Sequence, residues 1–170
     1  MTFSDRLKKG LILFDGAMGT QVHDLEPSDE EWDGRNGCPE VLNLTVPEKI
    51  QLIHERYFAA GSDVVETNTF GGSRIKLERT GGLGERTVEL NQAAARVAQE
   101  AAGGRAYVAG DMGPTGELLQ PYGLLGYDDA VRAFAEQAGV RIIEDAAEML
   151  GNTCDGAPCG SFGDISTLSF

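Results

Sequence analysis

Three times along this chain a short apolar or β-branched run closes on a polar, glycine-bearing turn, and each time a stretch of helical periodicity follows. That recurrence limits the fold more than any other feature, because alternating βα units build parallel sheets. Leu11-Ile12-Leu13-Phe14 is unbroken and ends on Asp15-Gly16, which predicts a strand covered on both faces. Pro47 suits a first helical turn and Gly61 a left-handed stop, and between them Ile50, Ile53, Tyr57 and Ala60 recur at spacings of three and four. The second unit opens with Asp63-Val64-Val65-Glu66-Thr67. It passes through a glycine-rich segment to a helix predicted from about Glu85 to Ala102, with Leu90, Ala94, Val97, Ala98 and Ala101 in one stripe.

The third strand is predicted at Ala106-Tyr107-Val108-Ala109-Gly110, and its helix near Tyr127-Asp128-Asp129. Val131, Phe134, Ala138, Ile142 and Ala146 keep one face, which favours a continuous helix to Leu150 even though Gly139 costs about 1 kcal/mol relative to alanine. The alternative ends the helix at Gly139 and starts a fourth strand over Val140 to Glu144. From Gly151 onward neither period survives. Residues 1–150 are therefore read as one partial α/β domain and 151–170 as an irregular, loose tail.

Composition narrows the partners. With 170 residues, 41% of them hydrophobic, the chain can bury one ordinary core. A net charge of -13 argues against nucleic acid and anionic membrane surfaces. No apolar run approaches the roughly 18 residues of a membrane span, and Met1 to Gly10 lacks a signal-peptide core, so the expectation is a cytoplasmic protein. Cys38, Cys154 and Cys159 are odd in number and predicted to be reduced, and the C-x4-C spacing of the last two lacks neighbouring donors for a metal.

Parallel strands joined by crossovers place their following loops on one edge, where ligands gather in α/β folds. Those loops are Asp15-Gly16-Ala17-Met18-Gly19-Thr20, Asn68-Thr69-Phe70-Gly71-Gly72 and Asp111-Met112-Gly113-Pro114-Thr115-Gly116. Glycines admit a ligand close to the backbone, and Asp15, Asn68, Thr69, Asp111 and Thr115 supply oriented donors and acceptors. Asp-Gly and Gly-Pro are also ordinary turn formers, and the coincidence of three such loops is what favours a site. The acidic stretch from Gln21 to Pro39, around Trp32, reads as a solvated surface insertion. Arg74 and Lys76 read as surface residues, with contact to an anionic donor as the alternative, and His23 and His54 lack metal-ligand spacing. Gly81-Gly82-Leu83-Gly84 lacks the spacing of a nucleotide-binding loop.

Four segments, Leu13 to Thr20, Pro39 to Leu44, Gly61 to Phe70 and Gly110 to Gly116, resemble homocysteine S-methyltransferases. The likeness is strongest to the homocysteine-binding module of cobalamin-dependent methionine synthase and to its betaine-dependent relatives, and it runs from about Leu11 to Gln137. It implies the N-terminal portion of a (β/α)8 TIM barrel, about three βα units with parallel strands, in which zinc holds the homocysteine sulfur as the thiolate that attacks a methyl donor. By that resemblance Asp15 and Gly16 hold the amino-acid end of homocysteine. Asn68, Thr69, Asp111, Gly113 and Thr115 shape the floor and donor side, and Glu144 binds the substrate amine if it ends a fourth strand. Betaine, a sulfonium compound, or methylated folate acting through cobalamin is the implied donor.

The resemblance fades near Leu150, and the family's paired zinc cysteines have no counterpart, so no metal ligand is assigned and a longer, truncated or disrupted gene product is expected. Three strands cannot close an eight-stranded barrel, which predicts that the isolated chain is aggregation-prone or non-catalytic, with a partner domain or oligomer covering the open edge. The competing function is a non-catalytic half-barrel binding or assembly module.

Overall fold

A computed structural model describes residues 2–138 and the backbone of 143–145, 153–154, 157–158 and 165–167. The chain opens with α1 (Phe3–Leu7), capped by the Thr2 hydroxyl, and α2 (Met18–Asp24). A 3-10 turn over Pro39–Val41 runs into α3 (Leu42–Thr45) and then α4 (Pro47–Ala60). Strand β1 (Val64–Glu66) leads to α5 (Arg74–Gly81), a second 3-10 turn at Gly84–Arg86, and α6 (Thr87–Ala102). Strand β2 (Tyr107–Ala109) and α7 (Tyr127–Gln137) complete the third unit. Beyond it lie β3 (Ile143–Asp145), β4 (Thr153–Cys154), β5 (Ala157–Pro158) and β6 (Ile165–Thr167).

Local chemistry explains the helix ends. Pro47 occupies the first turn of α4, and Gly61 ends it at φ 109, a left-handed conformation that a side chain would oppose. Between these stops Ile50, Ile53 and His54 are buried. The predicted stripe of α6 is buried at Leu90, Ala94, Val97 and Ala98, and Gly103 ends the helix at φ 55.

Strands β1 and β2 pair in parallel, with Val64 opposite Tyr107, Val65 opposite Val108 and Glu66 opposite Ala109. Phe14 forms a parallel bridge to Val64 on the other side of β1, and the Asp63 and Val64 amides donate to the Leu13 carbonyl at 2.8 and 3.1 Å. The order is therefore the Phe14 segment, β1, β2, so all three predicted strand ends leave the sheet at one edge. Helices α4 and α6 pack on each other and on this sheet, enclosing a core that runs from Val22 and Cys38 through Leu42, Ile50 and Ile53 to Leu77 and Leu90.

Four sequence expectations change. Leu11 and Leu13 are 87% and 57% exposed, so the first apolar run is not covered on both faces; only Ile12 and Phe14 pack, against Val64 and Ala109. The helix that starts at Tyr127 stops at Gln137, with Ala138 extended at φ -72, ψ 103, and does not run to Leu150. Gly139 follows at once, and Val140 to Ile143 brings β-branched residues that favour a strand over a helix. Strand β3 accordingly forms at Ile143–Asp145, pairing in parallel with β6. The stretch from Gln21 to Pro39 is not only a solvated insertion, since Val22 and Cys38 are buried and Leu25 and Trp32 pack on the helical core. Short strands also occupy parts of the segment read as an irregular tail; its other residues lie outside those described.

Candidate functional site

The first strand end carries Asp15. Its amide donates to the Val64 carbonyl at 3.1 Å, locking the residue beside β1, and both carboxylate oxygens accept the Glu66 amide at 3.1 Å. Burial pushes the Asp15 carboxyl up to about 7; the Glu66 amide opposes that rise and the Glu66 charge adds to it. At neutral pH Asp15 is thus poised between its charged and neutral forms. Gly16 beside it has little room for a side chain, because an added Cβ would lie 3.2 Å from the Tyr57 hydroxyl, which donates to the Ala17 carbonyl.

The second and third strand ends are tied to each other. Thr67 and Thr69 share a hydroxyl–hydroxyl hydrogen bond of 2.6 Å; Thr69 donates to the Asp111 carbonyl at 2.7 Å, and the Asp111 amide donates to Thr67 at 3.1 Å. From α7, Gln137 donates its amide to the Thr69 carbonyl at 2.8 Å. Asn68 turns the other way: it donates to the Pro39 carbonyl at 2.8 Å and to Asn43, whose own amide donates back to the Asn68 carbonyl at 2.9 Å. Glu40, buried in the turn before α3, accepts the Gly71 amide at 2.7 Å. A Cβ on Gly71 would lie 2.7 Å from that carboxylate, which would have to shift to admit it.

Together these loops surround an open cavity of about 470 Å³ whose walls include Asp15, Gly16, Glu40, Glu66, Asn68, Lys76 and Asp111. Of the residues singled out from sequence, Asp15, Gly16, Asn68 and Asp111 therefore meet at one cleft. Thr69 faces a neighbouring cavity of about 330 Å³ that shares Thr67 and Asp111 with the first. Gly113 and Thr115 shape their loop from outside the cleft walls. The Gly113 amide donates to the Phe70 carbonyl at 3.0 Å, and a Cβ there would sit 2.6 Å from that oxygen. Thr115 accepts the Glu117 amide at 3.2 Å in a local turn. The backbone of Glu144 lies in β3, and its side chain lies outside the described residues.

Sequence reasoning missed Glu40, Asn43 and Gln137. A signal existed for the first two: they stand three residues apart at the start of a short helix among Val41, Leu42 and Leu44, a spacing that points both the same way. Gln137 carried none, because a glutamine near the end of a helix usually faces solvent.

Zinc, implied by the resemblance, does not fit the described residues. No group of three His, Cys, Asp or Glu side chains among them converges on a metal position. Cys38 is buried, and burial together with the nearby Glu40 charge pushes its thiol up to about 11, away from the thiolate that zinc requires. Cys159 lies outside the described residues.

A parallel α/β unit that gathers carboxylates from successive strand ends over one cleft defines the class of this protein. It belongs to the homocysteine S-methyltransferase family, whose sequence model matches residues 12–154. The chain is similar to the methionine synthases of Mycobacterium leprae and Mycobacterium tuberculosis, 35% identical to each over 156 residues, covering 88% of this chain and 13% of each relative. It therefore spans about an eighth of the length of those relatives. Its fold is shared with the Escherichia coli homocysteine methyltransferase MmuM. The metallated form matches with a TM-score of 0.52 and 23% identity over 65% of this chain and 40% of that one, and the oxidized form with 0.53. No helix among the described residues is long and apolar enough to cross a membrane.

Proposed function

We propose that this chain supplies the part of a (β/α)8 methyltransferase barrel that grips the amino-acid end of homocysteine while its thiol is methylated to give methionine. The observation that carries the reading is Asp15: a carboxylate held by the Glu66 amide, raised to about 7 by burial, and facing a cleft large enough for an amino acid. An α-ammonium group placed there would stabilise the charged form of Asp15 and displace its proton. Gly16 leaves the approach open, and the Asn43–Asn68 pair, the Glu40–Gly71 contact and Gln137 hold the surrounding loops still. Asp111, with Thr69, Gly113 and Thr115 in and behind its loop, forms the wall toward the methyl donor. Glu144 is a second carboxylate for the amine by the family resemblance alone. In the transfer the thiol gives up its proton to solvent, the thiolate lone pair forms the bond to the donor's methyl carbon, and the leaving group departs with the electrons of the broken bond.

Calorimetric titration of the full chain with L-homocysteine tests the reading. Binding that tightens as pH rises from 6 to 8, and weakens about tenfold in Asp15→Asn, is the expected result. No binding, or binding unchanged in Asp15→Asn, overturns it. Methylcobalamin, betaine and S-methylmethionine, each tried as donor, then separate a catalytic chain from a binding module that needs a partner for turnover.

A further inference from the structure

We propose that the cavity between α6 and α7 is a second binding site, which takes a small uncharged nitrogen heterocycle of the nucleobase kind through side-chain carboxamides. This cavity is not the homocysteine cleft, and its occupant is independent of that reading.

The two cavities share Thr67 and Asp111 but differ in chemistry. The cleft wall includes the carboxylates of Asp15, Glu40 and Glu66, whereas the smaller cavity, of about 330 Å³, presents three carboxamides: Asn91 and Gln92 from α6 and Gln137 from α7. Val88, Ala95 and Met112 give it apolar surface. A carboxamide sets donors beside an acceptor without carrying charge. Such a lining suits an uncharged partner with donors and acceptors along one edge, as when asparagine or glutamine pairs with adenine. No lysine or arginine stands among its described walls, which disfavours a phosphate-bearing nucleotide. Glu136 does not invite a cation either, since Arg74 lies 3.8 Å away. Two of the carboxamides are held in place. Asn91 donates to the Gly72 and Thr87 carbonyls, both at 2.8 Å. Gln137, 5% exposed, donates to the Thr69 carbonyl at 2.8 Å and the Asp111 carbonyl at 3.4 Å, which keeps its amide from turning over. Its Oε1 is buried without a hydrogen-bond partner. An unpaired buried acceptor is unfavourable, and the N–H group of a ligand beside Gln137 would satisfy it. Gln92 is exposed and makes no side-chain hydrogen bond among the described residues, so it can turn to the ligand's outer edge. A cavity of this size lies at the lower end of ligand pockets and has room for one fused ring system.

Adenine is the probe, and indene, a fused bicycle of similar shape without hydrogen-bonding atoms, is its control. Each is titrated calorimetrically into the full wild-type chain, Gln92→Leu and Ala95→Leu. Wild type is expected to bind adenine with a dissociation constant below about 1 mM, and about tenfold more tightly than indene. Gln92→Leu is expected to weaken adenine about tenfold, and Ala95→Leu, whose larger side chain occupies the cavity, to abolish its binding. Leucine is a good helix former at both positions, and circular dichroism checks that the variants fold. Absence of adenine binding to wild type, equal affinity for indene, or adenine binding that survives Ala95→Leu overturns the assignment. None of these outcomes bears on the homocysteine titration.

Discussion

The two faces of the parallel sheet differ sharply. On the helical side α4 and α6 close over an apolar core in which Leu42, Ile50, Ile53 and Leu90 have no exposed surface. On the other side the buried cluster is Val64 and Ala109, with Phe3, Ile12, Phe14 and Tyr107 only partly covered. Helix α4 meets β1 and α6 meets β2, each the strand that follows it in the chain, so the outer layer forms between neighbouring units. The inner face of a barrel is filled by side chains from strands all around it, and three strands supply only part of that filling.

The largest effect that would break this contrast comes from one substitution made on both faces. Ile53→Ala is expected to cost about 4 kcal/mol in urea denaturation and Ile12→Ala about 1 kcal/mol, because only the first leaves a closed cavity. Equal costs would mean that the inner face is packed as well as the outer one. Next in size is Glu40→Ala, which leaves the buried Gly71 amide without its acceptor and should cost about 2 kcal/mol, whereas Glu40→Gln keeps an oxygen there and should cost under half as much.

A third pair of variants sharpens the contrast through pH. His54 is buried on the helical side, both ring nitrogens lack a hydrogen-bond partner, and burial lowers it to about 4 from an ordinary 6.5. Its contribution to stability is complete above pH 6.5 and is lost as pH falls through 4. Asp15, raised from 3.8 to about 7, behaves oppositely: its contribution is complete below pH 3.8 and is lost as pH rises through 7. In melting curves from pH 4 to 8, His54→Leu should therefore reduce the acid loss and Asp15→Asn the loss toward neutrality. Each effect should be about 1–2 kcal/mol, a figure already reduced for the partial exposure of Asp15. The smallest effect belongs to Leu11→Ser: at 87% exposed, its removal should change stability by less than about 0.5 kcal/mol and improve solubility.

Sequence periodicity located α4 and α6 to within two residues, because proline and glycine fix helix ends through the backbone itself and apolar spacing fixes the buried face. It failed at α7, where an apolar stripe carried past Gly139 while the backbone did not follow. Of the cleft, Asp15, Gly16, Asn68 and Asp111 were legible because polar residues beside glycines at strand ends stand out against apolar runs. Glu40, Asn43 and Gln137 were not read as parts of it, since each reaches the cleft or its loops from a helix or turn far away in sequence.

By itself, then, the sequence determined the βα order, the boundaries of α4 and α6 and the loops that end each strand, all of which follow from interactions within a few residues. Tertiary structure alone decided that Asp15 would be buried against the Glu66 amide and raised to about 7, that Asn68 would brace a turn through Asn43, and that Lys76 would border an acidic cleft. Burial and electrostatic surroundings are set by chain segments tens of residues apart, and no local pattern encodes which of them will meet.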